Sequence, residues 1–192
     1  MRKAIWILLL TLALGCVSCG RSETGIEVSE PVIMAVGYFD HYCVLLRLYE
    51  GEYKSVYEAG PDFGANWSGE YELVVMEAGS DTVICQYPLT EWNETLCFQE
   101  SFDLQLTDLN ADGCAEVLIG QYAGSNYNLY KMYYIDEDGQ IGYYSEIGDL
   151  AISSQDLSPC LEVSGGSAVY SVYDNSTGSW VTGEIDLEAL DI

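Results

Sequence analysis

The stretch NYNLYKMYYIDEDGQIGYYS, residues 126–145, decides the fold. Its two outer parts, 126–135 and 140–145, are rich in Tyr, Leu and Ile, and between them stands Asp136-Glu137-Asp138-Gly139. Asp-Gly between two β-prone segments is among the strongest short-range hairpin signals. The pattern spreads outward along the chain. Residues 168–173 and 179–185 flank Asp174-Asn175-Ser176-Thr177-Gly178, and residues 70–76 and 81–87 flank Glu77-Ala78-Gly79-Ser80. Within 41–49, Tyr42, Val44, Leu46 and Leu48 fall on one face, with His41, Cys43, Leu45, Arg47 and Tyr49 on the other. That period is two rather than 3.6. Phe102, Leu104 and Leu106 alternate with Asp103, Gln105 and Thr107, which predicts one half-buried strand. Helix signatures are almost absent. The expectation is an all-β fold, an antiparallel meander of about ten to twelve short strands arranged as a sandwich or as a partial, propeller-like array. It occupies a single domain over residues 31–192.

Composition narrows what such a domain can bind. Of 192 residues, 31 are Asp or Glu and 6 are Lys or Arg, a formal charge of −25. That charge repels phosphate backbones and anionic lipid head groups, so nucleic acid is excluded as a partner. Apolar residues make up 49% and charged residues only 19%, which separates the chain from disordered acidic tails. Most of the acids stand in the turns, where Asp, Asn and Gly satisfy turn geometry.

The N-terminus reads as an address. Met1, Arg2 and Lys3 precede the uncharged apolar run AIWILLLTLALG, residues 4–15. The run is short for a membrane span, which needs about 20 apolar residues, and fits a secretory signal. Ala13-Leu14-Gly15-Cys16 resembles the lipobox of bacterial lipoproteins. The resemblance implies a signal peptide over 1–15, a diacylglycerol on Cys16 and a mature chain at the outer face of the bacterial cell membrane. Cys19 is an alternative site. Residues 16–30 lack apolar periodicity and read as a tether, and Cys16-Val17-Ser18-Cys19 is a chance C-x-x-C at the cleavage point. Cleavage leaves Arg21, Arg47, Lys54 and Lys131 against all 31 acids, so the body stands off the membrane on its lipid.

Cys19, Cys43, Cys85, Cys97, Cys114 and Cys160 permit disulfides in an exported chain, with Cys85–Cys97 closing a short loop. Free, buried thiols in a reducing niche are the alternative.

One loop carries chemistry. Asp108-Leu109-Asn110-Ala111-Asp112-Gly113-Cys114-Ala115-Glu116 places oxygen-bearing side chains at its first, third, fifth and ninth positions and Gly at its sixth. A hard cation such as Ca²⁺ takes about six to eight oxygens, and carboxylate-rich ligation selects it over softer metals. Asp108, Asn110, Asp112 and Glu116 are candidate side-chain ligands, with Cys114 offering its backbone carbonyl. The flanks are strands and position twelve is Gly120, so this is not an EF-hand. An Asx-rich turn that binds nothing is the plain alternative.

The segment FDLQLTDLNADGCAEVLI, residues 102–119, resembles the calcium-binding hairpin of FG-GAP/VCBS repeats, which build integrin-type β-propellers and recur in bacterial surface proteins. All four side-chain positions of that family's loop are matched. The resemblance implies Ca²⁺ held between two strands in a structural role. The Phe-Gly and Gly-Ala-Pro signatures of the family are missing, and one loop is present where a propeller has 4 to 8 blades.

Nucleophilic catalysis finds little footing. His41 is the only histidine and its place in an apolar strand reads as structural, no G-x-S-x-G occurs, and neither zinc-ligand spacing nor a phosphate-cradling glycine loop is present. The reading is a non-enzymatic, calcium-stabilised surface module that binds a protein or a glycan. Phe63 and Trp67, in the turn-rich stretch 60–69, and Tyr127, in the polar-aromatic stretch 124–128, are its candidate ligand-binding residues. Aromatics tucked under the loops as satellite core are the plainer account. An envelope glycan hydrolase using a carboxylate pair and a structural accessory lipoprotein are the competing functions.

Overall fold

A computed structural model describes residues 25–55 and 64–192; the signal segment, Cys16, Cys19 and Phe63 lie outside the described residues. These residues form fifteen strands and one 3₁₀ turn. The first sheet holds β1 (Ile26–Glu27), β2 (Val32–Phe39), β3 (Tyr42–Lys54), β4 (Asn66–Glu77), β5 (Val83–Pro88), β6 (Leu96–Phe98) and β7 (Phe102–Asp103). Its order is β5-β4-β3-β2-β7, with β1 on β3 and β6 on β4. The second sheet holds β8 (Leu106–Thr107), β9 (Ala115–Gly124), β10 (Tyr127–Ile135), β11 (Ile141–Tyr143) and β12 (Leu150–Ile152), ordered β11-β10-β9-β8 with β12 on β10. The third is the meander β13 (Glu162–Ser164), β14 (Ser167–Asp174) and β15 (Ser179–Asp186), followed by the 3₁₀ turn Leu187–Leu190.

The fold is therefore all-β, with sheets stacked in the manner of a sandwich. Two cores separate its layers. Val117 and Ile119 of β9 and Tyr133 and Ile135 of β10 pack against Leu46, Leu73 and Phe98 of the first sheet. Leu118 of β9 and Tyr130 and Met132 of β10 face the opposite way and pack with Ala168 and Ile185 of the third. Strand geometry turns successive side chains to opposite faces, so the unbroken apolar run 117–119 is what a strand covered on both sides requires. The deciding hairpin forms as its sequence predicts. Asp136 Oδ1 accepts from the backbone N–H groups of Asp138 (2.9 Å) and Gln140 (2.8 Å), and Gly139 takes a φ of 74°.

Four expectations change in detail. The alternation over 102–107 is split between β7, which pairs in parallel with β2, and β8, which pairs antiparallel with β9. Leu104 donates its N–H to Val36 O at 3.0 Å, where the chain leaves one sheet for the next. Ile26 and Glu27, inside the stretch read as tether, pair with Tyr53 and Glu52, and Val28 packs on the first core, so residues ahead of Pro31 take part in the fold. His41 stands at the exposed turn between β2 and β3, 2.5 Å from Asp40 Oδ2, rather than in an apolar strand. Cys85 lies opposite Val75 and Cys97 opposite Ser68, seven residues apart along β4. At about 3.3 Å per residue that is roughly 23 Å, far beyond disulfide reach. Among the described residues no two cysteines form a disulfide.

A recurrent pairing explains part of the tyrosine content. Gly120 faces Tyr130, Gly142 faces Tyr134 and Gly183 faces Tyr170 across antiparallel ladders. In each pair the phenol ring lies over the glycine; a Cβ at Gly120 would stand 2.3 Å from Tyr130 Cε1. Tyr130 is fully buried, so its ring has nowhere to retreat. Gly120→Ala should cost about 1–3 kcal/mol by overpacking. Urea unfolding would measure this, and an unchanged midpoint would show that the ring can yield.

Candidate calcium loop and ligand-binding trough

The loop between β8 and β9 is built by its own side chains. Ala111 (φ 64°) and Gly113 (φ 93°) adopt left-handed conformations that curl the chain back on itself. Asp108 accepts from Asp112 N–H through Oδ1 at 3.1 Å and from Gly113 N–H through Oδ2 at 3.0 Å. Asp112 Oδ1 accepts from Cys114 N–H at 2.8 Å, while Asn110 Nδ2 donates to Asp112 Oδ2 at 3.0 Å. Asp108, Asn110 and Asp112 are thus gathered in one turn. The fold adds a residue that spacing could not reveal: Asp191, past the 3₁₀ turn, accepts from Asn110 Nδ2 at 3.2 Å.

Glu116 makes no hydrogen bond to these three and is held from the other side of the loop. It is buried at 3% exposure, and both of its oxygens are engaged inside the protein. Leu109 N–H donates to Oε2 at 2.8 Å and Tyr144 Oη–H to Oε1 at 3.0 Å. Tyr144 Oη also lies 3.0 Å from Leu190 O, so Glu116 ties the loop to the C-terminal turn. Burial pushes the Glu116 carboxyl up from 4.5 to about 7, against the two hydrogen bonds that favour its charged form. A carboxyl group that ligates calcium does so in its ionised form. Among the described residues no three His, Cys, Asp or Glu side chains are gathered as a metal shell. The loop thus brings Asp108, Asn110 and Asp112 together, with Cys114 tied to Asp112 through its N–H, while Glu116 is held by Leu109 and Tyr144.

A second feature lies at the far end of β9. A cleft of about 730 Å³ opens where the tips of all three sheets meet. Tyr122 and Tyr127 come from the β9–β10 hairpin, Tyr173 and Trp180 from the β14–β15 hairpin, and Phe98 and Glu100 from β6 and the residues after it. Tyr122 and Trp180 are 51% and 65% exposed, although large aromatics are ordinarily covered. Ser153 fastens the sheets beneath them, its Oγ donating to Asn126 O at 2.6 Å and accepting from Tyr173 N–H at 2.8 Å. A neighbouring hollow, lined by Trp92 and Lys131, has Cys97, Tyr122 and Tyr127 as the wall it shares with this trough.

Lys131 is buried on β10, paired with Asp149 and lying 5.2 Å from the Trp92 ring and 5.5 Å from that of Tyr143. Burial pulls its pKa down, but the Asp149 hydrogen bond and the surrounding negative charge carry it above the ordinary lysine value. Of the candidate ligand residues, Tyr127 lines the trough and Phe63 lies outside the described residues. Trp67 is half-buried in β4, packed on the first core with its ring 4.7 Å from Tyr53. Tyr122 and Trp180 escaped the sequence reading. Their only signal was position, an aromatic near a strand end.

The chain matches no protein-family model, no curated protein and no solved structure.

Because the folded-state pKa of Glu116 lies above its unfolded value, its protonated form stabilises the fold. That contribution is complete below about pH 4.5 and is lost as pH rises through about 7. In calcium-free buffer Glu116→Gln should flatten this part of the stability profile, a difference of up to about 3 kcal/mol at pH 8. Denaturation midpoints between pH 4.5 and 8 would measure it, and parallel profiles for the two proteins would refute it.

Proposed function

We propose that the chain is a non-enzymatic binding module of the bacterial cell surface, anchored by a lipid on Cys16 and stiffened by Ca²⁺ in the 108–116 loop. The trough is the observation that carries this reading. It presents two exposed aromatic residues and a set of amides at the junction of three sheets. Concave sites that combine apolar walls with a few placed polar groups are where ligands bind. The −25 charge supports export on a tether, since it holds the body away from anionic lipid.

Calcium has a scaffold role in this proposal. Asp108, Asn110 and Asp112 would hold it, with the Cys114 carbonyl beside them. Bound Ca²⁺ would offset the mutual repulsion of the loop carboxylates and pin the loop to β9. Extracellular sites of this type bind at about 10⁻⁴ to 10⁻³ M, which suits external calcium levels.

Two measurements test the proposal. Millimolar calcium should raise the melting temperature by about 2–5 °C. Asp108→Ala and Asp112→Ala should both abolish the rise, and a rise that persists in both variants, or none in the unaltered chain, would remove calcium from the account. Separately, Cys16→Ala should release the protein from the membrane fraction and eliminate its diacylglycerol mass increment. Retention of the variant on the membrane would refute the lipid anchor.

A further inference from the structure

On the reading that the chain is a binding module, we propose that the trough holds an uncharged oligosaccharide, lying against Trp180 and Tyr122. Three properties of the trough select this ligand.

The first is the aromatic surface. Trp180 and Tyr122 stand largely in solvent, and Tyr173 braces the Trp180 ring in an edge contact at 5.4 Å and 71°. The axial C–H groups of a pyranose ring form an apolar patch with slightly positive hydrogens. Such a patch lies well on the negative face of an indole or phenol. Side chains already held in place lose little freedom when the ligand arrives.

The second is the polar complement. Asn126, Asn128 and Gln155 line the cleft, and each amide supplies both donors and an acceptor. A sugar hydroxyl likewise donates and accepts. Asn126 is positioned in advance, its Nδ2 donating to Asn175 Oδ1 at 2.6 Å.

The third is charge and edge. In a chain of net charge −25, Glu100 is, among the described residues, the one charged side chain lining this cleft; Glu94, Lys131 and Asp149 line the neighbouring hollow. Anionic ligands are repelled by the protein as a whole, while a cation would need carboxylates that converge. An extended peptide gains most by adding a strand to an open sheet edge. Here the Gln121 side-chain amide occupies Cys97 of β6, accepting from its N–H at 2.9 Å and donating to its carbonyl at 3.2 Å. The edge that faces the trough is closed at that point. At about 730 Å³ the cleft has room for more than one pyranose ring, which fits a chain of sugars better than a single one.

The test uses the full-length chain in a detergent without a sugar head group. Neutral gluco-, manno-, xylo- and chito-oligosaccharides of one to six units are titrated by calorimetry and tryptophan fluorescence. The expected result is binding by at least one series, tightening with length, and weakened about tenfold or more in Trp180→Ala and Tyr122→Ala. Tyr38→Ala, an exposed aromatic on the first sheet, should bind as the unaltered chain does. Circular dichroism melts of the variants separate lost contact from lost fold. Absence of binding by every neutral series, or binding that survives both trough variants, overturns the inference. If no sugar binds but a photo-crosslinker at Trp180 captures a defined protein, the oligosaccharide is refuted while the binding-module reading stands. If neither binds, both fail.

Discussion

Covering the second sheet on both faces is the constraint on which the rest of the structure depends. Val117, Leu118 and Ile119 are all buried, and their alternation sends two toward the first sheet and one toward the third. A strand in that position has no wet face on which to place polar residues. Its few polar members must then be fully partnered or stand at its ends. Glu116 is bonded to Leu109 and Tyr144, Lys131 to Asp149 between two aromatic rings, and Asn128 to Tyr130. The candidate loop and the trough occupy the two ends of β9, where the covering layers stop.

Tyrosine carries much of what charge pairs carry in other proteins. With few cations available, four ion pairs link charged side chains among the described residues, one of them involving His41. Phenol hydroxyls hold the loops instead. Tyr42 donates to Glu137 O at 2.7 Å, Tyr71 to Trp67 O at 2.8 Å and Tyr130 to Asp156 O at 2.5 Å. A buried tyrosine supplies an apolar body to the core and a polar tip that reaches a backbone carbonyl. The same rings fill the space that facing glycines leave open in the second and third sheets. These contacts do not depend on a second charge, so they suit a chain whose acids would repel one another more strongly as they drew together.

Local pattern revealed the hairpins because a hairpin is a local object. Asp136 to Gly139 and Asp174 to Gly178 contain their own turn chemistry, and the face assignment of Tyr42, Val44, Leu46 and Leu48 holds in β3. The division at Leu104 was not legible. Phe102, Leu104 and Leu106 keep their alternation, but alternation reports which side a residue faces and not which strand its backbone bonds. The third layer was foreshadowed only by the apolar run 117–119, which fits burial on both faces without saying by what. In the loop, spacing found Asp108, Asn110 and Asp112, which gather in one turn. It could not tell that Glu116 faces Tyr144, a residue 28 positions away, or that Asp191 approaches from 81. The trough is assembled from the ends of three sheets, and no single stretch of sequence contains it.

Placement along β9 also constrains how calcium and ligand relate. Glu116 and Tyr122 are six residues apart on one strand, roughly 20 Å at ordinary strand rise. A cation in the loop would lie too far from the trough to touch a bound ligand, so it has no part in recognition by direct contact. Its influence would pass through the strand and through the C-terminal turn, which Tyr144 ties to Glu116 and Asn110 ties to Asp191. Those ties hold the third sheet against the second at the loop end, while Ser153 performs the same service at the trough end. The third sheet is thus fastened at both ends of the layer it covers. Loosening the loop end would let β14 and β15 shift over the second sheet, and Tyr173 and Trp180 would shift with them. On this argument calcium would govern ligand affinity through the alignment of two sheets, without contributing an atom to the site.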